Sequence, residues 1–505
     1  MTTHIATRTR TARAATDLDT SIVIVGAGFG GLGMAAALKK AGIEDFVIVE
    51  EADGLGGVWR DNTYPGCSCD VPSHLYSFSF APYRDTRQRY PRQNQILDYL
   101  HSVARSYDLN RHLRCGTAIT EATYHDELCH WDLTTATGER IRTGIVIFAV
   151  GQLHRPHIPA IPGIEQFTGT MFHTAAWDHT HDLRDRHVAV IGTGASAAQL
   201  LPHVAATARR VSVYQRTPHW VLPKPSAEFG PLTHALLHIP GAHQLYRKAV
   251  HWGAELVLAP IMHRGWSARP AEWLARAYLR HCITDPALRD ALTPKYPIGG
   301  KRIIFDSHFY PTLTRDNVEL VTSRVERVTA TGVETADGAN RCADTIILAT
   351  GFRTTEFLTP TTIRGRDGLL LHQLWAQGAH AFLGLTVRGF PNMYLLAGPN
   401  SFNPSGSNPA MKEAQIAYIM KCIRWQKESK GGALEVSAVA DARYRQWIQL
   451  SLVKTVWPEV KLSWYRHPSG RITNPWPGTA HRYERMIRRA KPQGSFIILY
   501  RRARG

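Results

Sequence analysis

The stretch "SIVIVGAGFGGLGMAAALKKAGIEDFVIVE" (21–50) runs an apolar strand into a glycine turn, a helix and a second strand, and "HVAVIGTGASAAQL" (187–200) repeats the design. This duplicated unit constrains the fold more than any other feature. The unbroken apolar run Ile22–Val25 suits a parallel strand covered on both faces. Gly26, Gly28 and Gly31 fit GxGxxG: the first permits the turn, the second lets backbone approach a diphosphate, the third lets helix pack on strand. In the second unit Gly192, Gly194 and Ala197 take those places, and Ser196 lies in the first turn of the helix. Each helix N-terminus would then face phosphate. The expected fold class is α/β, with two Rossmann-like dinucleotide-binding domains.

The strand ends separate the two nucleotides. The first unit closes on Glu50, where an acid binds ribose hydroxyls, and its neighbour Glu51 should point to the other face. A further glycine turn, "GLGGVW" (54–59), with Gly57 and Trp59, follows directly and resembles the turn that two-dinucleotide-binding flavoproteins often place near the FAD diphosphate and ribose, which implies FAD here. The second unit closes on Gln215, Arg216 and Thr217 instead of an acid. An arginine there favours a 2′-phosphate, hence NADPH over NADH.

The rest of the chain limits the alternatives. With 505 residues there is room for several cores. No apolar run approaches the roughly 18–20 residues of a membrane helix, so no membrane partner is expected. The formal charge of +18 admits nucleic acid, but the lysines and arginines are spread along the chain without a nucleic-acid motif, so none is expected either. Seven scattered cysteines suit a reduced, cytoplasmic protein, and Cys67 and Cys69 form a CxC, not the CxxC of a dithiol centre. "HTHD" (179–182) has no third and fourth ligand, so no metal is expected.

Domain organisation follows from composition. Residues 1–20 read as a disordered tail without the apolar core of a secretory signal. Residues 21–152 and 351–505 are expected to form the FAD-binding domain, and 153–222 and 299–350 the NADP-binding domain. Residues 223–298, rich in Ala, Leu, Trp and Arg at helical spacing, are expected to be a helical insertion whose Trp and Leu side chains are core.

Two motifs carry a family resemblance over roughly residues 20–480. "FTGTMFHTAAWD" (167–178) fits FxGxxxHxxxW[P/D], and "GGVWRDNTYPGCSCD" (56–70) fits [A/G]GxWxxxx[F/Y]P[G/M]xxxD. The chain thus resembles the class B flavoprotein monooxygenases of the Baeyer–Villiger type. The resemblance implies an FAD- and NADPH-dependent enzyme that uses O2 to convert a ketone into an ester or lactone through a C4a-peroxyflavin. It further implies that Arg302, in "YPIGGKRIIF", is the active-site arginine, that Lys301 helps hold the 2′-phosphate and that Asp70 positions Arg302. "LLAGPNS" (395–401) resembles the turn near the flavin ring and brings in Asn400, with a helix expected from Pro409 capped by Asn408.

His173 and Trp177, between the two units, are read as domain-coupling residues rather than as acid–base catalysts. The segment 462–486 departs from the cyclohexanone-type pattern and leaves its contacts open. The alternatives are oxygenation of nitrogen or sulfur, a non-oxygenating NADPH oxidase or reductase, and a degenerate flavoprotein serving as a binding module.

Overall fold

A computed structural model describes residues 18–83, 87–226, 228–239, 241–429 and 432–500. Residues 1–17 of the expected tail lie outside the described residues. Residues 18–20 depart from that expectation, because Thr20 opens the first strand and the Asp19 N–H donates to the Arg142 carbonyl at 3.1 Å.

The first sheet uses β1 (Thr20–Val25), β2 (Phe46–Val49), β3 (Ile119–His125), β4 (His130–Thr135) and β5 (Arg140–Phe148). The second uses β6 (Thr170–His173), β7 (His187–Ile191), β8 (Arg210–Tyr214), β9 (Val318–Val321) and β10 (Thr345–Leu348). Two later strands, β11 (Thr362–Arg364) and β12 (Met393–Leu395), return to the first sheet, against β3 and β5. The first sheet has the order β11-β3-β4-β5-β1-β2, with residues 113–114 beyond β2. Its β5-β1-β2 part is parallel, while β4 pairs antiparallel with both neighbours. The second sheet, β9-β8-β7-β10-β6, is parallel throughout.

The apolar runs behave as strands covered on both faces. Ile22 and Ile24 enter one core with Ile145 and Ile147, whereas Val23 and Val25 enter another with Val146 and Phe148. In the second sheet Val188 and Val190 face one core, and Ala189 and Ile191 the other. Period-two alternation sends adjacent residues to opposite faces, so a continuous apolar run is what two covered faces require.

The duplication extends to single contacts. Gly26 and Gly192 both have positive φ, +104° and +114°. A Cβ on Gly26 would stand 2.8 Å from the Ala149 carbonyl oxygen, and one on Gly192 2.4 Å from that of Ala349. Both alanines precede the glycine at which the chain leaves a sheet, Gly151 in "FAVG" and Gly351 in "LATG". The two exits also bond to each other: His157 N–H donates to the Gly351 carbonyl (2.8 Å), and Arg353 N–H to that of Arg155 (2.9 Å).

Helix α1 (Phe29–Lys40) follows the first turn and α2 (Ala195–Thr207) the second. Between the paired short strands Val221–Leu222 and Ile304–Phe305 lie α3 (Pro231–Leu237), α4 (Ala242–Gly253) with a π-turn to Leu258, and α5 (Ala268–Cys282). Here the expectation of core Trp and Leu holds only in part: Leu237, Leu279 and Leu292 are buried, but others face outward. Trp252, Trp266 and Trp273 are 46%, 69% and 66% exposed, and Leu232 and Leu245 are 75% and 70% exposed. Short helices have one inward face each, and these carry more apolar residues than that face can hold. Further along, α6 (Asn408–Glu428) starts one residue before the expected position, and its cap is Ser407, whose Oγ accepts the Ala410 N–H at 3.3 Å. Asn408 instead accepts the Asn403 N–H at 3.0 Å. The last long helix is α7 (Ala480–Arg489).

A Cβ on Gly31 would fall 1.9 Å from the Gly26 carbonyl oxygen, where only backbone movement could relieve it. Gly31→Ala is therefore expected to destabilise by about 3 kcal/mol or more and to lower flavin content. Thermal melting and the flavin-to-protein absorbance ratio check this; unchanged values would reject the close-packing role.

Candidate active site and cofactor cradles

Both glycine turns leave room where a diphosphate would lie. Gly28 and Gly194 are the N-caps of α1 and α2, and neither helix has a side-chain cap at that end. A Cβ on Gly194 would meet nothing within 4 Å, and one on Gly28 only the Cα of Gly57 at 3.8 Å. Amide groups at an uncapped helix start, beside open space and a positive dipole end, suit an anion. Gly57, with φ +55°, brings the second glycine turn against the first. Glu50 is buried at the end of β2: one carboxylate oxygen accepts the Ala27 N–H (2.7 Å), the other the Ala52 N–H (3.2 Å) and Arg60 (3.3 Å). It braces the turn from the position expected of a ribose-binding acid. Glu51 points elsewhere and pairs with His154 at 2.8 Å. Trp59 is half-buried, and its indole N–H donates to the Tyr76 hydroxyl at 3.2 Å. These features fit FAD in the first cradle.

At the second cradle, Arg216, Thr217 and Lys301 line one cavity of about 670 Å³, together with Tyr296, Lys295 and Lys461. Lys301 is buried, with its ammonium 5.2 Å from the Tyr296 ring centre. Burial first, and the Arg216 cation second, lower its pKa to about 8. Two cations pressed together at a cavity wall suit an anion with more than one charge. Ser196, partly buried in the first turn of α2, lies on the phosphate side of the unit.

Asp70 and Arg302 meet across 232 residues of chain. The guanidinium Nη2 donates to Oδ1 at 2.7 Å and to Oδ2 at 2.9 Å, and Nε to Oδ2 at 3.1 Å. About a quarter of each side chain stays exposed. Burial alone would lower the arginine pKa; the adjacent Asp70 carboxylate outweighs this and holds it raised. Asp70 is itself held from the second unit. Tyr64 OH donates to Gln199 Oε1 (2.9 Å), Gln199 Nε2 to the Ser68 carbonyl (2.9 Å) and Lys224 Nζ to the Cys69 carbonyl (3.2 Å). Cys67 and Cys69 are buried free thiols with pKa pushed up by burial, Cys67 to about 11, which removes the thiolate that dithiol chemistry needs.

Aromatic residues that motif reading missed surround the arginine. Its guanidinium lies 5.6 Å from the Phe402 ring centre. Trp464 packs edge-on to Phe402 at 5.1 Å and against Tyr465 at 4.3 Å. These two come from the segment 462–486, whose "SWY" run was the available signal. Asn400 is 3% exposed, and its amide donates to the carbonyls of Ile472 (3.1 Å) and Pro475 (3.2 Å), tying down that segment.

His173 ends β6 beside the point where the chain leaves the second sheet, opposite Leu348 and 5.8 Å from the Phe352 ring centre. Its Nδ1 accepts the Ala175 N–H at 3.0 Å, and burial lowers its pKa. Trp177 packs edge-on to Phe172 at 5.0 Å. His179 and His181 bond to Thr63 and Thr345 at 2.8 and 2.7 Å rather than to each other. Among the described residues, His125, His130 and Asp132 on the β3–β4 hairpin bring three ligand-type atoms within 4.8 Å, with the Arg142 cation 4.0 Å from the carboxylate.

The pyridine nucleotide-disulphide oxidoreductase family matches residues 23–239. A Baeyer-Villiger monooxygenase of Streptomyces coelicolor is 39% identical over 93% of this chain and 91% of its own length. An oxidized steroid monooxygenase bound to NADP superposes with TM-score 0.84 at 30% identity, covering 95% of this chain and 99% of that one. OTEMO in complex with FAD and NADP does so with TM-score 0.85 at 26% identity and the same coverage.

The cationic cavity generates a pH prediction. A pKa lowered from the ordinary lysine value means the free protein sheds the Lys301 proton above about pH 8, whereas a bound phosphate dianion favours the ammonium. The KM for NADPH should therefore rise as pH climbs through 8 to 9, while that for NADH stays flat. Lys301→Met should abolish the difference in slope. Arg216→Ala should raise the KM for NADPH by about 10- to 100-fold and leave NADH nearly unchanged. Steady-state kinetics with both cofactors checks this, and equal losses would reject the phosphate assignment.

Proposed function

The chain belongs to the Baeyer–Villiger monooxygenases, which use FAD, NADPH and O2, and from that membership we propose that its substrate is a ketone, oxidised to an ester or lactone at Arg302. In the balanced reaction, ketone, O2, NADPH and a proton give ester, NADP⁺ and water. FAD, when bound, carries electrons from NADPH to O2. The observation that carries the reading is the two-pronged Asp70–Arg302 pair among Phe402, Trp464 and Tyr465.

The chain's own groups have separate tasks. Oxygen transfer to a carbonyl builds negative charge on oxygen, and a guanidinium that stays protonated stabilises that charge best when its direction is fixed beforehand. Asp70 fixes it, since two of the guanidinium nitrogens bond the carboxylate. Nη1 is the nitrogen without a bond to Asp70 and is the one we assign to the substrate oxygen. The aromatic residues exclude water, which strengthens the same electrostatic interaction. We assign Gly26, Gly28, Gly31, Glu50, Gly57 and Trp59 to FAD. Gly192, Gly194, Ser196, Arg216, Thr217 and Lys301 go to NADP. His173 and Trp177 couple the two units, a role supported by the position of His173 at the chain exits. Seven free cysteines support a reducing, cytoplasmic location.

The test is product analysis under labelled O2. A ketone panel with NADPH should yield esters or lactones carrying one labelled atom. A preference for sulfides or amines with no ester would assign the chain to nitrogen or sulfur oxygenation instead. Arg302→Ala should keep NADPH-driven flavin bleaching but lose ester formation by about 10²- to 10³-fold, with the electrons appearing as H2O2. Ester formation by Arg302→Ala at the parent rate would sink the assignment.

A further inference from the structure

The apolar residues that the inserted helices turn outward form stripes. On α4 and its π-turn the exposed Leu245, Ala249, Trp252 and Leu256 follow at intervals of four, three and four, which is one helix face. Leu232 and Leu236 on α3, and Ile239 just past its end, are also turned outward, with exposures of 75%, 50% and 54%. Helix α7 lies alongside the α4 stripe. The Trp252 ring is 5.4 Å from that of His481, and Glu255 accepts the N–H groups of Ala480 (2.8 Å) and His481 (3.2 Å). The solvent side of α7 carries Arg485, Arg488 and Arg489.

Between α4, α6 and α7 runs a groove of about 570 Å³. Ala414, Ala417 and Ile487 give it an apolar floor, and Lys248, Arg247 and Arg488 a cationic border. Its acids are Glu413 and Glu484.

We propose that this face docks on the surface of an anionic lipid bilayer, with the α3 and α4 stripes in the acyl boundary and Lys248, Arg485, Arg488 and Arg489 against headgroup phosphates. An outward apolar stripe bordered by arginine and lysine, with a tryptophan at its edge, is the pattern of a helix lying in the membrane interface. No helix of the described residues is long and apolar enough to cross a membrane, and surface docking requires none. The charge favours lipid over a second copy of the chain. A two-fold contact sets a patch against itself and would oppose these four cations with their own duplicates, in a chain of formal charge +18.

The test is co-sedimentation of the FAD-loaded enzyme with phosphatidylcholine vesicles, with and without phosphatidylglycerol, and sedimentation equilibrium without lipid. Binding should be at least about tenfold stronger with phosphatidylglycerol and should fall with added salt. Leu245→Ser with Trp252→Ser, and separately Lys248→Glu with Arg488→Glu, should each lose about tenfold in binding. Both should retain flavin absorbance and turnover of a water-soluble ketone. Equal binding to both vesicle types, or none, overturns the proposal. So does a lipid-free dimer that the apolar variant dissociates, since the face would then belong to a second copy.

Discussion

The Asp70–Arg302 pair is the interaction around which the site is arranged. A charge pair withdrawn from water gains little net free energy, because desolvation offsets attraction. Its value here is direction. The planar guanidinium meets the carboxylate through two nitrogens, so neither partner can rotate without losing a bond. The carboxylate is fixed in turn, because Gln199 on α2 and Lys224 hold the backbone around it. The glycine at 66 shows how close that grip is: a Cβ there would lie 2.4 Å from the Gln199 carbonyl oxygen. The second signature motif thus belongs in sequence to the first unit and in contact to the second.

What was legible in the sequence was whatever only one residue type can do. Gly26, Gly31 and Gly192 are needed because backbone carbonyls occupy the space of a Cβ, and that requirement has a fixed spacing. The apolar runs named their own sheets because both faces are covered. By contrast, nothing local relates Asp70 to Arg302; their pairing came from resemblance and their geometry only from the fold. Helical spacing marked residues 223–298 as helical but not which faces look inward, so Trp252 and Trp273, expected in the core, are exposed. The side-chain partners of Asn400, the carbonyls at 472 and 475, were not legible because they belong to a segment without a motif.

That segment, 462–486, links site and exits. Tyr465 and Trp464 stand by Arg302, while Asn474 donates to the Thr354 carbonyl (2.8 Å) and Gln152 (3.4 Å), just beyond the two glycines at which the chain leaves the sheets. Thr354 returns a bond to the Trp464 carbonyl at 2.8 Å. Three hydrogen bonds thus link the exits to the wall of the site.

The exits themselves have a mechanical consequence. Two independent tethers would let one unit twist, tilt and slide against the other. Here the tethers are hydrogen-bonded to each other at residues 155–157 and 351–353. A two-stranded ribbon bends across its thin dimension far more readily than it shears along its length. Any movement of one sheet against the other must therefore bend this bonded pair as a unit or break its two hydrogen bonds.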